Sequence, residues 1–251
     1  MGTTLIVLAH PEQASFNGSW ARASAAGAKA AGDDVLWSDL CAMGFDPVEG
    51  AGHFPAQSGP FDPLKAHEAA VRADALPADV TAEVAKIRAA DRIVFHFPLW
   101  WFAPPAILKG WLDRCLVHGA LHDVTRRFDA GVLRGKRALF CVTTGAGAAE
   151  CGPDGKEGDA RLLLWPLAYT LRYCGMAVAD PVCVHGVHGY LVGAEKVALE
   201  ARLRGVLDAQ AGVMAGLEAR PVMPFNADAD FGADGRLKPD APSHSPFIRR
   251  S

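Results

Sequence analysis

Three short stretches of this sequence hold residues whose types and spacing suit chemistry. The first, His10-Pro11-Glu12-Gln13-Ala14-Ser15-Phe16-Asn17, leads directly into an Ala-rich run. A hydroxyl, an amide and the unpaired N–H groups of a helix start together suit a phosphate. The plainer reading of Ser15 or Asn17 is an N-cap. The second is Pro98-Leu99-Trp100-Trp101-Phe102-Ala103-Pro104-Pro105. Three consecutive aromatics between prolines cannot all turn into a sheet core from one rigid loop, and they would cover a flat conjugated ligand well. A hydrophobic plug or a subunit contact is the alternative. The third, Thr143-Thr144-Gly145-Ala146-Gly147-Ala148-Ala149, is built of small residues that let a ligand approach the backbone N–H groups.

Other chemistries fit less well. The third stretch is not a G-x-G-x-x-G fingerprint, because Glu150 holds its last position, and Gly152–Lys156 lacks the spacing and hydroxyl of a P-loop. His185 and His188 have H-x-x-H spacing near Cys183, but no further ligand cluster lies close in sequence, so no metal is expected. The G-x-S-x-G elbow of serine hydrolases is absent. The six cysteines (41, 115, 141, 151, 174 and 183) form no C-x-x-C pair, and several sit in apolar runs. That usage fits free thiols and a reducing, cytoplasmic setting.

Elements that could position these stretches follow from hydrophobic patterning. Thr4–Ala9 is a continuous apolar run of strand length, as expected of a strand covered on both faces; Arg92–Phe97, Arg137–Val142 and Met176–His185 read as further strands and Val35–Trp37 as a short one. Between them, Asn17–Ala31, Pro77–Ala90, Pro104–Val117, Ala160–Tyr173 and Gly193–Leu217 read as helices. Gly32 and Gly175 stand where helices end, and Asp79 or Thr81 could cap the second helix. Residues 41–77 show no clear period and read as a long surface excursion. The alternation implies an α/β, flavodoxin-like, doubly wound five-stranded parallel sheet with helices on both faces. In such a sheet the ligand crevice lies beyond the carboxyl ends of strands at the switch point, where all three loops fall. Residues 1–218 make this domain. Residues 219–251, rich in Pro, Asp, Gly and Arg, form an irregular C-terminal extension packing on the domain or on a partner subunit.

With 251 residues, half of them apolar, the chain can bury one substantial core. A net charge of −3 excludes a basic nucleic-acid footprint. No apolar run reaches the length of a membrane span, and the N-terminus has neither a basic region nor a cleavage site of a signal peptide.

Val7–Asn17, Phe97–Leu112, and Thr143–Gly145 together with Leu164-Trp165-Pro166 resemble the NAD(P)H:quinone oxidoreductase family, in order and spacing, over residues 3–210. The resemblance implies a homodimer with its active site at the interface and a bound flavin, FAD with FMN as the alternative. NAD(P)H would deliver hydride to flavin N5 and leave, and a quinone would then take it, possible acceptors also including azo and nitroaromatic compounds. It assigns His10, Ser15, Phe16 and Asn17 to the pyrophosphate and ribityl chain. Pro98, Leu99, Trp100, Trp101 and Phe102 would hold the ring, and Thr143, Thr144, Gly145 and Ala146 would lie beside its polar edge. Asp113 and Arg202 fall at the adenine end.

The sequence also departs from the family. Cys151 and Glu157 stand where the mammalian enzymes carry a catalytic tyrosine and the histidine of a charge relay. A buried glutamate can still exchange a proton, and Cys151 also reads as a small loop residue. Beside Trp101 and Phe102 in the substrate pocket, His122 and Val124 replace two tyrosines. Loss of the tyrosine–histidine relay admits a second reading, a flavin- or nucleotide-binding ancillary subunit that regulates a cation-efflux system. A one-electron flavodoxin carrier fits less well, since such carriers are smaller and strongly acidic.

Overall fold

The computed structural model describes residues 2–55 and 59–250. Six parallel strands form one sheet: β1 (Thr3–Leu8), β2 (Asp34–Asp39), β3 (Arg92–Pro98), β4 (Arg137–Thr143), β5 (Ala177–Val178) and β6 (Val182–Val184). The order is β2-β1-β3-β4-β5, with β6 also paired to β4. The switch point therefore lies between β1 and β3, and the carboxyl ends of β1, β3 and β4 sit side by side.

The apolar runs of the central strands supply two cores by alternation. Leu5, Val7, Ile93, Phe95, Phe97, Ala138, Phe140 and Val142 face one layer with α3 (Ala78–Ala89), α4 (Ala106–Cys115) and α6 (Trp165–Tyr173). Ile6, Leu8, Val94, Leu139 and Cys141 face the other, against α1 (Phe16–Ala30) and α7 (Gly193–Ala215). All these strand residues are buried, as a doubly covered parallel sheet requires. Gly32 and Gly175 follow their helices at φ of 90° and 97°, a region that favours glycine.

Both layers are tied to the sheet by buried polar groups. Trp20 donates to Gln210 (2.7 Å), Gln210 to the Ser24 hydroxyl (2.7 Å), and Ser24 meets His96 Nε2 at 2.9 Å, joining α1, α7 and β3. Burial holds the His96 pKa down near about 3, so the imidazole stays neutral. On the opposite layer the fully buried Glu83 of α3 accepts from the Trp111 indole (2.9 Å), the Ser38 hydroxyl and Lys86 (2.6 Å).

Four expectations are corrected. Residues 41–77 are not all irregular: Asp62 caps a further helix, α2 (Pro63–Arg72), which buries only Ala66, His67 and Ala70, with no large apolar side chain among them. Residues 56–58 of that stretch lie outside the described residues. The predicted helix over 160–173 is two helices, α5 (Ala160–Leu163) and α6, meeting at Leu164 just before Pro166. The predicted strand over 176–185 is interrupted into β5 and β6 around Pro181, which has no N–H for the ladder. Neither Asp79 nor Thr81 caps α3; Pro77 takes the cap position, Asp79 pairs with the buried Arg114 at 2.7 Å, and Thr81 bonds the Leu76 carbonyl.

Beyond α7 the chain returns to the sheet edge. Met223 donates to Val178 O (2.8 Å), Asp180 donates to Pro221 O (2.7 Å), and Val222 bridges Ala179 in antiparallel sense. Phe225 and Phe247 then pack on Trp165 of α6, Phe247 with rings stacked at 4.9 Å.

Glu83→Ala leaves three buried or half-buried donors without their acceptor. Urea denaturation should show a loss of about 3 kcal/mol of unfolding free energy.

Candidate active site

The three loops meet at the carboxyl end of the sheet. In the first, Ser15 caps α1 by accepting from Gly18 N–H (3.1 Å), and among the described residues the N–H groups of Phe16 and Asn17 have no acceptor. No acidic side chain occupies the first turn of α1, so the helix start keeps its positive end. Asn17 is buried, donates through Nδ2 to the Thr143 hydroxyl (2.9 Å), and leaves its Oδ1 buried without a partner among the described residues. His10 is folded back on the backbone of Glu12 at 3.0 Å and lies 5.9 Å from the Trp100 ring, so the first loop touches the second.

The second loop is fixed at its base and open at its tip. Leu99 N–H donates to Thr143 O (2.8 Å), and Trp100 and Ala103 exchange backbone bonds. Between them Trp101 and Phe102 stand at φ of 50° and 63°, where L residues are strained. Their side chains are 93% and 52% exposed, against 46% for Trp100, so the triplet is no hydrophobic plug. These rings form one wall of a groove of about 960 Å³, whose other walls include His122, Trp165, Tyr169 and Tyr173. The Trp165 indole N–H is buried without a partner among the described residues.

The third loop lines a smaller adjoining cavity of about 200 Å³. Leu99, Trp101, Phe102, Thr144, Gly145, Ala146, Cys151 and Glu157 surround it. A side chain added at Gly145 would meet nothing within 4 Å, so the backbone there is open to a ligand. The Thr144 hydroxyl bonds Ala146 O and His185 Nδ1, both at 2.9 Å, and Cys151 Sγ lies 3.6 Å from it. His185 thus joins Thr144 in this loop, a contact its H-x-x-H spacing did not indicate.

The geometry gathers most of the sequence-predicted residues and separates a few. Glu157 and Cys151 share the small cavity, while His122 lines the groove at its far side with Nε2 against Leu116 O (3.0 Å). Burial, then the neighbouring His118, lowers the His122 pKa. Val124 is exposed and lines neither space. Asp113 pairs with Lys109 at 2.6 Å beside the groove, whereas Arg202 on α7 donates to His185 O at 2.8 Å. Sequence reasoning missed the contribution of Tyr169 and Tyr173, whose only signal was the aromatic content of α6.

Comparison with known proteins identifies the family of the fold. The flavodoxin-like fold family matches residues 2–206. The mouse ribosyldihydronicotinamide dehydrogenase [quinone] is 41% identical over 191 residues, spanning 73% of this chain and 81% of that protein. The chain belongs to the NAD(P)H:quinone oxidoreductase family. Within it, the rat NAD(P)H dehydrogenase [quinone] 1 is 37% identical, over 73% of this chain and 68% of its own. A candidate quinone reductase from Klebsiella pneumoniae superposes with a TM-score of 0.85 at 29% identity, covering 96% of this chain and 95% of its own.

In this quinone oxidoreductase fold the aromatic tip is strained and exposed, so its side chains contribute little to folding. Trp101→Gly relieves the positive φ but adds backbone freedom. Denaturation of the ligand-free variant should stay within about 1 kcal/mol of wild type, where a core Trp→Ala change costs about 3–5 kcal/mol.

Proposed function

We propose that the protein is a flavin-dependent reductase that carries two electrons from NAD(P)H to quinones, each hydride passing through the same site in turn. The observation that carries this reading is the junction of three loops, phosphate-suited, aromatic and small-residue, at one sheet end. The residues present fit a flavin. The free N–H groups of Phe16 and Asn17, with the orphaned Asn17 Oδ1, suit the phosphate and ribityl chain. The open backbone at Gly145 and the Trp101 and Phe102 rings suit the flat ring system. When bound, the flavin supplies the hydride acceptor and donor.

The protein groups then have distinct tasks. Trp101 and Phe102 orient the ring system and exclude water from it. The Thr144 hydroxyl and the loop backbone offer dipoles to the polar edge of the ring, where charge gathers on reduction. Glu157 is the proton-exchanging group across the small cavity, and Cys151 packs beside Thr144. His122 borders the space where a quinone would enter. FAD is preferred over FMN because Arg202, beside the loop after β6, offers a cation for an adenylate arm.

The groove is too large for a quinone alone, and the exposed Trp101 would be covered by a second copy of the chain. A homodimer with the site at its interface follows from that reading. Among the described residues no helix is long and apolar enough to cross a membrane, which is compatible with a cytoplasmic enzyme.

The absorbance spectrum of the purified protein tests the reading. Flavin bands should bleach with anaerobic NADPH and return with a simple benzoquinone, and chromatography of the released cofactor should give FAD. Bound flavin that NADPH cannot bleach would favour the ancillary, regulatory reading, and no flavin after reconstitution would overturn the cofactor itself. Glu157→Gln should slow stopped-flow flavin reduction at neutral pH by roughly tenfold or more. An unchanged rate across pH would remove Glu157 from the reaction.

A further inference from the structure

An imidazole reaches the third loop from another strand. His185 follows β6, and its Nδ1 lies 2.9 Å from the Thr144 hydroxyl. The two segments are laced together by backbone bonds: Thr144 N–H to Val184 O, Gly186 N–H to Ala146 O and Val187 N–H to Thr144 O, at 3.1, 2.8 and 2.9 Å. Arg202 on α7 fixes the far side through His185 O (2.8 Å). This histidine cannot drift from Thr144 without breaking that lacing.

A hydroxyl carries one proton, so its two neighbours compete for it. When His185 is neutral with its proton on Nε2, Thr144 donates to Nδ1, and Ala146 O keeps the Gly186 N–H and the more distant Cys151 thiol. When His185 is protonated, both ring nitrogens donate. Thr144 must then accept from Nδ1 and turn its own proton to Ala146 O, 2.9 Å away. From the neutral Nε2–H tautomer the Thr144 dipole therefore turns as His185 gains its charge, whereas a neutral Nδ1–H ring would already hold it toward Ala146 O. Thr144 lines the small cavity while His185 stands behind it.

We propose that His185 is a positioning residue of the redox site, acting through Thr144 to couple its own protonation to the electron-accepting power of the bound flavin. The proposal rests on the flavin reductase reading above. A protonated His185 places a positive charge behind the loop at which negative charge gathers on reduction, so reduction is favoured as pH falls through the histidine's range.

The surroundings set that range. Burial, then the Arg202 guanidinium, lowers the His185 pKa below its ordinary value, so the ring takes up its proton only on the acid side of the usual histidine range. The other titratable groups nearby are the Cys151 thiol on the same hydroxyl, Cys183 on the strand itself, Glu157 across the cavity, and Glu150. Glu150 is held by Lys156 (2.8 Å) and Gly147 N–H (3.1 Å).

The test uses the full-length, flavin-loaded protein. Stopped-flow reduction by NADPH and spectroelectrochemical midpoint potentials are measured from about pH 5 to 8. Wild type should show a break on the acid side of pH 6.5, below which reduction quickens by roughly tenfold and the potential climbs more steeply. His185→Gln, an uncharged side chain that can still donate to Thr144, should lose the break in both readouts. Thr144→Val should weaken it, because the charge remains without the hydroxyl that relays it, whereas Thr144→Ser and Glu157→Gln should keep it in full. A wild-type profile without the break, a break that survives in His185→Gln, or one undiminished in Thr144→Val, overturns the proposal. Where His185→Gln fails to fold, the wild-type profile and the Thr144→Ser and Thr144→Val pair decide. Absence of bleaching by NADPH at every pH overturns the reductase reading underneath, whereas bleaching with a flat profile overturns this proposal alone.

Discussion

Thr143 is where the three site loops become one object. Its hydroxyl accepts from the Asn17 amide and its carbonyl accepts from Leu99 N–H, so the last residue of β4 holds the loops after β1 and β3. Parallel strands make this possible, because every chain exit from the sheet lies at the same end. The buried bonds at Thr143 set the spacing between the phosphate-suited helix start and the aromatic wall. A loop freed from that junction would keep its residues and lose their common geometry.

Below that junction the molecule is built for rigidity, and above it for exposure. The sheet is sealed by apolar residues on both faces and stitched to its helices through His96, Gln210 and Glu83, all buried and bonded. The tip of the second loop reverses this pattern, with two positive-φ aromatics held out of the core. Backbone strain of this kind persists only where the surroundings over-determine it. Here the Leu99 bond and the Trp100–Ala103 bridge close the loop from both ends.

Much of this was legible in the sequence, for physical reasons. Strands buried on both faces leave uninterrupted apolar runs, so β1, β3 and β4 were found within a residue or two, and glycines at positive φ marked two helix ends. The loops showed themselves because their compositions make no sense as core or as ordinary turns. Helix α2 was hidden because it packs small residues and a histidine rather than an apolar stripe. The break at Pro181 was hidden inside a run that otherwise read as one strand. The Thr144–His185 contact spans 41 residues and depends on the pairing of β6 with β4, which no local pattern encodes. The aromatic face of α6 became part of the groove only once the sheet order was known.

The interruption between β5 and β6 has a consequence for the fate of the chain in solution. Edge strands attract other edge strands, and those of one molecule can zip onto those of another. At this border, residues 178–180 find their partners in residues 221–223, returned from beyond α7 in antiparallel sense. The stretch after the last helix therefore acts as a selvedge, a finished border that keeps the fabric from joining its neighbour. A chain cut short before Pro221 would retain all three loops of the candidate site and still be prone to aggregate.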